Sequence, residues 1–118
     1  MKKDNVIQQK SYDFAIRIIK LYKYLVDERR EFVLSKQVLR SGTSVGANIE
    51  EAIGGQSRRD FVAKFSIAYK EARETHYWLR LLRDTEYLSP QQVDSLLTDL
   101  DEILRILASI LKTTKESN

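Results

Sequence analysis

The most constraining feature of this sequence is a regular spacing of apolar and small residues between positions 61 and 82. Steps of four and three residues separate, over three heptads, Phe61, Phe65, Ala68, Ala72, Thr75, Leu79 and Leu82. Such spacing places these side chains on one face of a helix, in the geometry that helices adopt when they pack in a bundle. We therefore predict a long helix over about residues 57–85.

Three further segments carry the same helical periodicity and predict helices over about residues 10–27, 34–54 and 89–112. Residues before position 10 are expected to form a loosely docked tail. Ser89, Pro90 and Gln92 mark the clearest helix start, a capping box with proline at the first helical position. Short connections force antiparallel neighbours, so the 118 residues are expected to form one domain, an all-α antiparallel up-down-up-down four-helix bundle.

Composition excludes several kinds of chemistry. The chain has no cysteine, which excludes thiol nucleophiles, zinc–thiolate sites and disulfides. The single histidine is His76. A di-metal site in a bundle needs a glutamate three residues before such a histidine, but Arg73 occupies that position, so a di-metal site is excluded. The polar N-terminus is not a signal peptide, and no apolar run approaches the ~20 residues of a membrane span. We expect a cytoplasmic protein with no membrane partner, no cofactor, no metal site and no catalytic residue.

The second predicted helix is unusual in containing Gly42 and Gly46, although each glycine costs about 1 kcal/mol of helix propensity relative to alanine. That cost is tolerable where glycine lets another backbone approach closely, whether from the same chain or from a second subunit. Polar residues on the second and third helices are Ser44, Asn48, Glu51, Glu71 and Glu74. We interpret them as a buried polar network that fixes helix pairing. The alternative is a general acid/base or cation site built on the three glutamates.

The third helix also carries an outward stripe of basic residues with an interleaved aromatic, consisting of Lys70, Arg73, Tyr77 and Arg80. Such a stripe can hold a phosphate backbone and stack a base. Arg17 and Lys20 on the first helix could likewise contact nucleic acid or simply face solvent. The alternative is a solvated face, in which Lys70 pairs with Glu74 and Arg80 pairs with Asp84 at i, i+4. The net charge of +3 permits nucleic-acid binding without requiring it.

The most specific stretch runs from Arg40-Ser41 through Ser44-Val45-Gly46-Ala47-Asn48-Ile49-Glu50-Glu51-Ala52, and it continues with Ser57, Phe61, Lys64, Ala68, Glu71-Ala72, Glu74-Thr75 and Leu79. It resembles the signature of the four-helix-bundle proteins encoded in intervening sequences of bacterial 23S rRNA genes. The likeness extends from Tyr12 to about Leu111. It implies a homo-oligomeric ring, a pentamer, without known catalytic activity. A related group, the accessory variability determinant of diversity-generating retroelements, is similar in fold. The likeness to that group implies that this chain binds nucleic acid and a reverse transcriptase.

Three functional hypotheses follow. The first is a non-enzymatic, ring-forming protein that binds RNA or DNA through a basic face. Its subunit contacts would use the small-residue face of the second helix and the broad apolar face of the fourth, which is widened by Leu97, Leu104 and Leu111. The second is a protein–protein adaptor without nucleic-acid binding. The third is a small enzyme or cation-binding protein that uses Glu51, Glu71 and Glu74.

Overall fold

The structure of the protein is a computed structural model that describes residues 2–55 and 57–116. It contains four helices, α1 (Lys2–Asp27), α2 (Leu34–Ile53), α3 (Arg58–Asp84) and α4 (Pro90–Glu116). The prediction of an all-α fold is therefore confirmed. No helix in the described part of the chain is both long enough and apolar enough to cross a membrane.

The four helices pack as an antiparallel bundle in sequence order. α2 contacts α1 and α3, and α4 contacts α3 and α1, whereas the two diagonal pairs make no contact within the described residues. Two ion pairs join α3 to α4, His76–Asp101 and Arg83–Asp94. The residue number rises along α3 from the first pair to the second and falls along α4, as antiparallel helices require. The predicted up-down-up-down topology is thus confirmed, in a molecule measuring 48 × 21 × 19 Å.

The core follows the spacing that the sequence predicts. On α3 the buried residues are Phe65, Ala68, Ala72, Thr75, Leu79 and Leu82. On α4 they are Val93, Leu96, Leu100, Ile103, Leu107 and Ile110. Removal of this apolar surface from water is the main force that holds the helices together, at about 25 cal/mol per Å² buried.

α1 begins much earlier than the sequence suggests. The prediction of a loose tail is wrong for residues 2–9, because α1 starts at Lys2 and Ile7 is completely buried. Ile7 lies one heptad before Phe14 and therefore continues the same apolar row. Val6 and Ile7 are the two apolar residues between Lys2 and Lys10, too few to show a helical period in the sequence. Met1 lies outside the described residues.

The helix ends combine expected and unexpected caps. The capping box of α4 is confirmed, since Gln92 N donates to Ser89 Oγ at 3.1 Å and Ser89 N donates to Gln92 Oε1 at 2.9 Å. α2 ends without a left-handed residue, since Gly54 has φ −81°. Gly55 N donates to Ala52 O at 3.2 Å, a bond over three residues that tightens the last turn.

An unpredicted carboxylate caps the start of α2. The side chain of Glu31 accepts backbone N–H groups from Val33, Leu34 and Ser35 at 3.3, 3.0 and 2.7 Å. Ser35 Oγ donates in return to the carbonyl oxygen of Glu31 at 2.8 Å. Glu31 thereby satisfies the unpaired donors of the first turn and complements the positive end of the helix dipole.

Candidate functional site

The seam between α2 and α3 is closed by paired charges. Arg40 Nη2 lies 3.0 Å from Glu74 Oε2, and Arg40 Nη1 lies 3.7 Å from Glu71 Oε1. Trp78 Nε1 also donates to Glu74 Oε2 at 2.9 Å. Farther along the seam, Lys64 Nζ lies 2.7 Å from Glu51 Oε1. The carboxylates are thus divided between two cations and do not converge on one site.

The expected buried polar network differs from the one in the structure. The prediction that Glu51 is buried is wrong, because its side chain is 59% exposed. Ser44 and Asn48 are only partly buried, and Asn48 Nδ2 donates to Ser44 O and Ser44 Oγ within the same helix. The hydrogen bonds that the structure gives to these two side chains are thus made within α2.

The polar contact inside the core is instead made by two hydroxyl groups. Ser41 on α2 and Thr75 on α3 are fully buried, and their side-chain oxygens lie 2.9 Å apart. Thr75 Oγ1 also donates to the carbonyl oxygen of Glu71. Within the described residues, no group of three or more histidine, aspartate or glutamate side chains could hold a metal ion.

The glycines of α2 pack against α1 of the same chain. A Cβ atom added at Gly42 would lie 2.8 Å from Ile18 Cγ1, and one added at Gly46 would lie 3.3 Å from the backbone oxygen of Ser11. This packing answers the question that the sequence left open. It also overturns the expectation that this small-residue face would serve a second subunit, because α1 already covers it.

The seam between α3 and α4 has a different character. A cavity of about 260 Å³ is lined there by Arg73, His76, Arg80, Asp101 and Leu104. Arg80 Nε donates to His76 Nδ1 at 3.0 Å, and His76 Nε2 lies 3.2 Å from Asp101 Oδ1. Because Nδ1 accepts, a neutral imidazole carries its proton on Nε2, the nitrogen that lies beside the carboxylate.

Neither of the i, i+4 ion pairs considered for α3 forms. Glu74 binds Arg40 instead of Lys70, and Asp84 binds Arg83 instead of Arg80. The hydrogen bond from Arg83 Nε, 2.9 Å long, lowers the pKa of Asp84. Lys70 and Arg80 therefore make no ion pair with a carboxylate in the described part of the chain.

A second cavity, of about 360 Å³, continues the same seam toward the end of α4. Its lining includes Ser66, Tyr69, Ala108, Leu111, Lys112 and Lys115. We call the two cavities together the basic groove, defined by the cations Arg73, Arg80, Lys112 and Lys115. None of these four makes an ion pair with a carboxylate among the residues that the structure describes.

The remaining members of the predicted basic stripe lie beside this groove. Lys70 is exposed on the outward surface of α3. Tyr77 is 49% exposed, and its ring centroid lies 5.9 Å from the guanidinium carbon of Arg80. The structure thus brings an exposed aromatic ring and several cations together on α3.

The cations of α1 are placed differently. Arg17 donates to Asp99 Oδ2 and to Ser95 Oγ on α4, so its charge is compensated. Lys10 Nζ lies 2.7 Å from Glu102 Oε1, and that hydrogen bond raises the pKa of Lys10. Lys20 is exposed beside a cavity that Arg17 and Tyr24 also line. The seam between α1 and α4 is therefore largely neutralised.

The surplus apolar surface lies on α1 and not on α4. Tyr12, Ile16 and Ile19 are 61%, 40% and 40% exposed, and their spacing places them on one side of the helix, opposite the core. The extra leucines of α4 are half-buried and pack against the core: Leu97, Leu104 and Leu111. α4 therefore exposes less apolar surface than its sequence suggests, because these leucines cover the seam with α3. That α4 supplies subunit contacts stays a prediction.

These features define an all-α bundle in which ion pairs close the α2–α3 and α1–α4 seams, and in which the α3–α4 seam holds an open, positively charged groove. The chain belongs to the 23S rRNA-intervening sequence protein family, whose model matches residues 3–109. The resemblance found in the sequence is thereby confirmed.

A solved relative has the same fold. It is a protein with unknown function from the S23 ribosomal protein family of Bacteroides thetaiotaomicron, 58% identical to this chain, with a TM-score of 0.92. The match covers 93% of this chain and 98% of that one. No curated protein matches the sequence.

Proposed function

We propose that this protein is a non-enzymatic cytoplasmic protein that binds RNA or DNA along the basic groove. One observation carries the proposal: the four groove cations have no carboxylate partner among the described residues, whereas the neighbouring seams are compensated. Uncompensated cations on one face attract the phosphate backbone, and binding is driven by release of its counterions.

The distribution of ion pairs reconciles this proposal with a net charge of only +3. Acidic side chains are engaged elsewhere, since Asp99 and Glu102 bind cations of α1 and Glu74 binds Arg40. Of the carboxylates in the described ranges, only Asp101 lines the groove, and its Oδ1 lies 3.2 Å from His76 Nε2. The groove therefore carries a local excess of positive charge, with four cations and one carboxylate among the described residues that line it.

A salt titration tests nucleic-acid binding. Labelled RNA and DNA strands should lose affinity steeply between about 50 and about 200 mM salt. Replacement of Lys70, Arg73 and Arg80 by glutamine should weaken binding to all sequences. It should also flatten the salt dependence, by about one unit of slope for each phosphate that the variant no longer binds.

The matched control removes the same charge from other faces of the bundle, with Lys20, Lys23 and Lys36 replaced by glutamine. These lysines are exposed on α1 and α2, and binding should change little. Equal losses in both variants would mean that binding is diffuse and not confined to the groove. If the protein binds neither RNA nor DNA at low salt, the proposal is wrong and the adaptor hypothesis takes its place.

We also propose that the chain assembles into a homo-oligomeric ring, for which the family resemblance suggests five subunits. The supporting observation is the exposed apolar stripe on α1, formed by Tyr12, Ile16 and Ile19. Contiguous apolar surface of this kind usually marks an interface. A ring needs a second, unlike patch on each subunit, and Phe32 and Val33 in the loop after α1 are further exposed apolar residues.

Light scattering at micromolar concentration tests the assembly. Replacement of Ile16 and Ile19 by glutamate should give a monomer with unchanged helical circular dichroism. Ile67→Glu is the matched control, because Ile67 is 41% exposed but lies on α3. If only the Ile67→Glu control dissociates, the subunit interface lies on α3 and not on α1. If the wild-type protein is a monomer, the ring is excluded.

The structure offers little support for the carboxylate enzyme or cation-binding hypothesis. Glu51 binds Lys64, and Glu71 and Glu74 share Arg40. General acid/base chemistry needs carboxyl groups that converge on a reacting group. These three do not converge, so we assign them the role of holding α2 against α3.

A further inference from the structure

We infer that the ligand of the basic groove is a single strand, with an unpaired base stacked on Tyr77 and the adjoining phosphates held by Arg73 and Arg80. This inference rests on the proposed function and narrows its ligand class from nucleic acid in general to unpaired RNA or DNA. It assigns each of the three side chains a distinct task.

Tyr77 provides a fixed aromatic surface. Its ring is 49% exposed, yet it contacts Trp78 edge-on, with ring centroids 5.2 Å apart and an interplanar angle of 66°. Trp78 is in turn held by the hydrogen bond from its Nε1 to Glu74. A solvent-facing ring that is supported in this way loses little side-chain freedom when a base stacks on it.

The two arginines flank this ring along α3. Arg73, Tyr77 and Arg80 follow each other at steps of four and three residues, which places them on one side of the helix. Arg73 and Arg80 are about 10 Å apart along the axis, at 1.5 Å per residue. The long arginine side chains can reach inward from these positions to the phosphates on either side of a base stacked on Tyr77.

The network in the groove prepares Arg80 for a phosphate. Its Nε atom is occupied by His76 Nδ1 and by the carbonyl oxygen of His76, at 3.0 and 3.3 Å. The two terminal amino groups then remain for the paired oxygen atoms of a phosphate, which guanidinium groups bind in a bidentate manner. The Asp101 carboxylate, which lines the same cavity, lies 3.2 Å from His76 Nε2 and makes no ion pair with Arg80.

The shape of the bundle disfavours a duplex. Proteins that read duplex DNA insert a helix or ribbon into a major groove about 12 Å wide. Here α3 is flanked along its length by α2 and α4, in a bundle with a cross-section of 21 × 19 Å. Tyr77 cannot reach the bases of a duplex from such a surface, whereas a single strand can turn its bases toward the ring.

Fluorescence anisotropy with a labelled oligouridine or oligothymidine of about 12 nucleotides, and with a duplex of the same length, tests the inference. The single strand should bind more tightly than the duplex. Tyr77→Ala should weaken single-strand binding about 5- to 150-fold, leave duplex binding unchanged and leave the salt slope unchanged, because stacking releases no counterions. Tyr77→Phe should retain the wild-type affinity, since it keeps the ring.

Tyr24→Ala is the matched control, because Tyr24 is an exposed tyrosine on α1 outside the groove. Equal affinity for both ligands, with no loss in Tyr77→Ala, would overturn the single-strand inference and leave charge-driven binding in place. If Tyr24→Ala loses as much affinity as Tyr77→Ala, Tyr77 is not the specific stacking surface for the base, and the inference is wrong. Absence of binding to either ligand would overturn both this inference and the proposed function.

Discussion

α2 and the seam between α3 and α4 are built from similar polar residue types but use them in opposite ways. Along α2 the hydroxyl and charged groups find partners on neighbouring helices, as in Ser41–Thr75 and Arg40–Glu74. Along the other seam Arg73 and Arg80 line a cavity without carboxylate partners in the described ranges. A satisfied polar group contributes to stability, and an unsatisfied surface cation is available to a ligand. α2 is thus expected to govern stability, and the basic groove is expected to govern binding.

The first and largest expected effect on stability is at the close approach between α2 and α1. Gly42→Val should lower the free energy of unfolding by about 3 kcal/mol, because its Cβ would lie 2.8 Å from the buried side chain of Ile18. β-branching makes Ile18 stiff within its helix, so it cannot easily move aside. Urea unfolding followed by circular dichroism measures the effect.

Gly54→Ala is the control for that substitution. Gly54 has φ −81°, and an added Cβ would meet only Glu50 O at 3.6 Å. The free energy of unfolding of the Gly54→Ala variant should equal or slightly exceed that of the wild type, because alanine has fewer unfolded conformations to lose than glycine. Equal stability of Gly42→Val and the wild type would show that the packing between α1 and α2 is loose.

An intermediate effect is expected at the buried hydroxyl pair. Thr75→Val should cost about 1–2 kcal/mol, because Ser41 Oγ loses its interhelical partner inside the core. The double variant with Ser41→Ala should cost less than the sum of the two single changes, since no hydroxyl is then left without this partner. Additive losses, measured by the same urea unfolding, would show that the two hydroxyl groups do not interact.

The smallest effect on stability is expected in the basic groove. Replacement of Lys70, Arg73 and Arg80 by glutamine should change the free energy of unfolding by no more than about 0.5 kcal/mol, as is usual for surface side chains. The same variant should lose most nucleic-acid affinity. Thermal unfolding of the triple variant and the wild type checks this, and a loss above about 1 kcal/mol would make these cations structural and remove the contrast with α2.

Much of the fold is predictable from local pattern. The predicted inward row of α3 is buried from Phe65 to Leu82, with Phe61 only partly buried, and the Ser89–Gln92 capping box forms as expected. These features depend on residues three or four positions apart, which a helix always brings together. The start of α1 is not predictable in this way, because its first nine residues, Lys2 to Lys10, contain only two apolar side chains, which are adjacent in the chain, Val6 and Ile7.

The candidate site is predictable only in part. Lys70, Arg73, Tyr77 and Arg80 do share one side of α3, as their spacing requires. The predicted partners of Lys70 and Arg80 are wrong, because Arg40 from α2 takes Glu74 and the neighbouring Arg83 takes Asp84. The sequence does not identify Lys112 and Lys115 as part of the site, since only the packing of α4 against α3 brings them to the groove.

By itself, the sequence determined the four helices, most of their inward faces and the family, because helical periodicity and capping act over a few residues. Tertiary structure decided which cations stay uncompensated, which helix the glycines approach and which helix keeps exposed apolar side chains. Each of those outcomes depends on competition between partners that are distant in the chain. Glu74, for example, had Lys70 one turn away but pairs with Arg40, 34 residues earlier, because α2 packs against that side of α3.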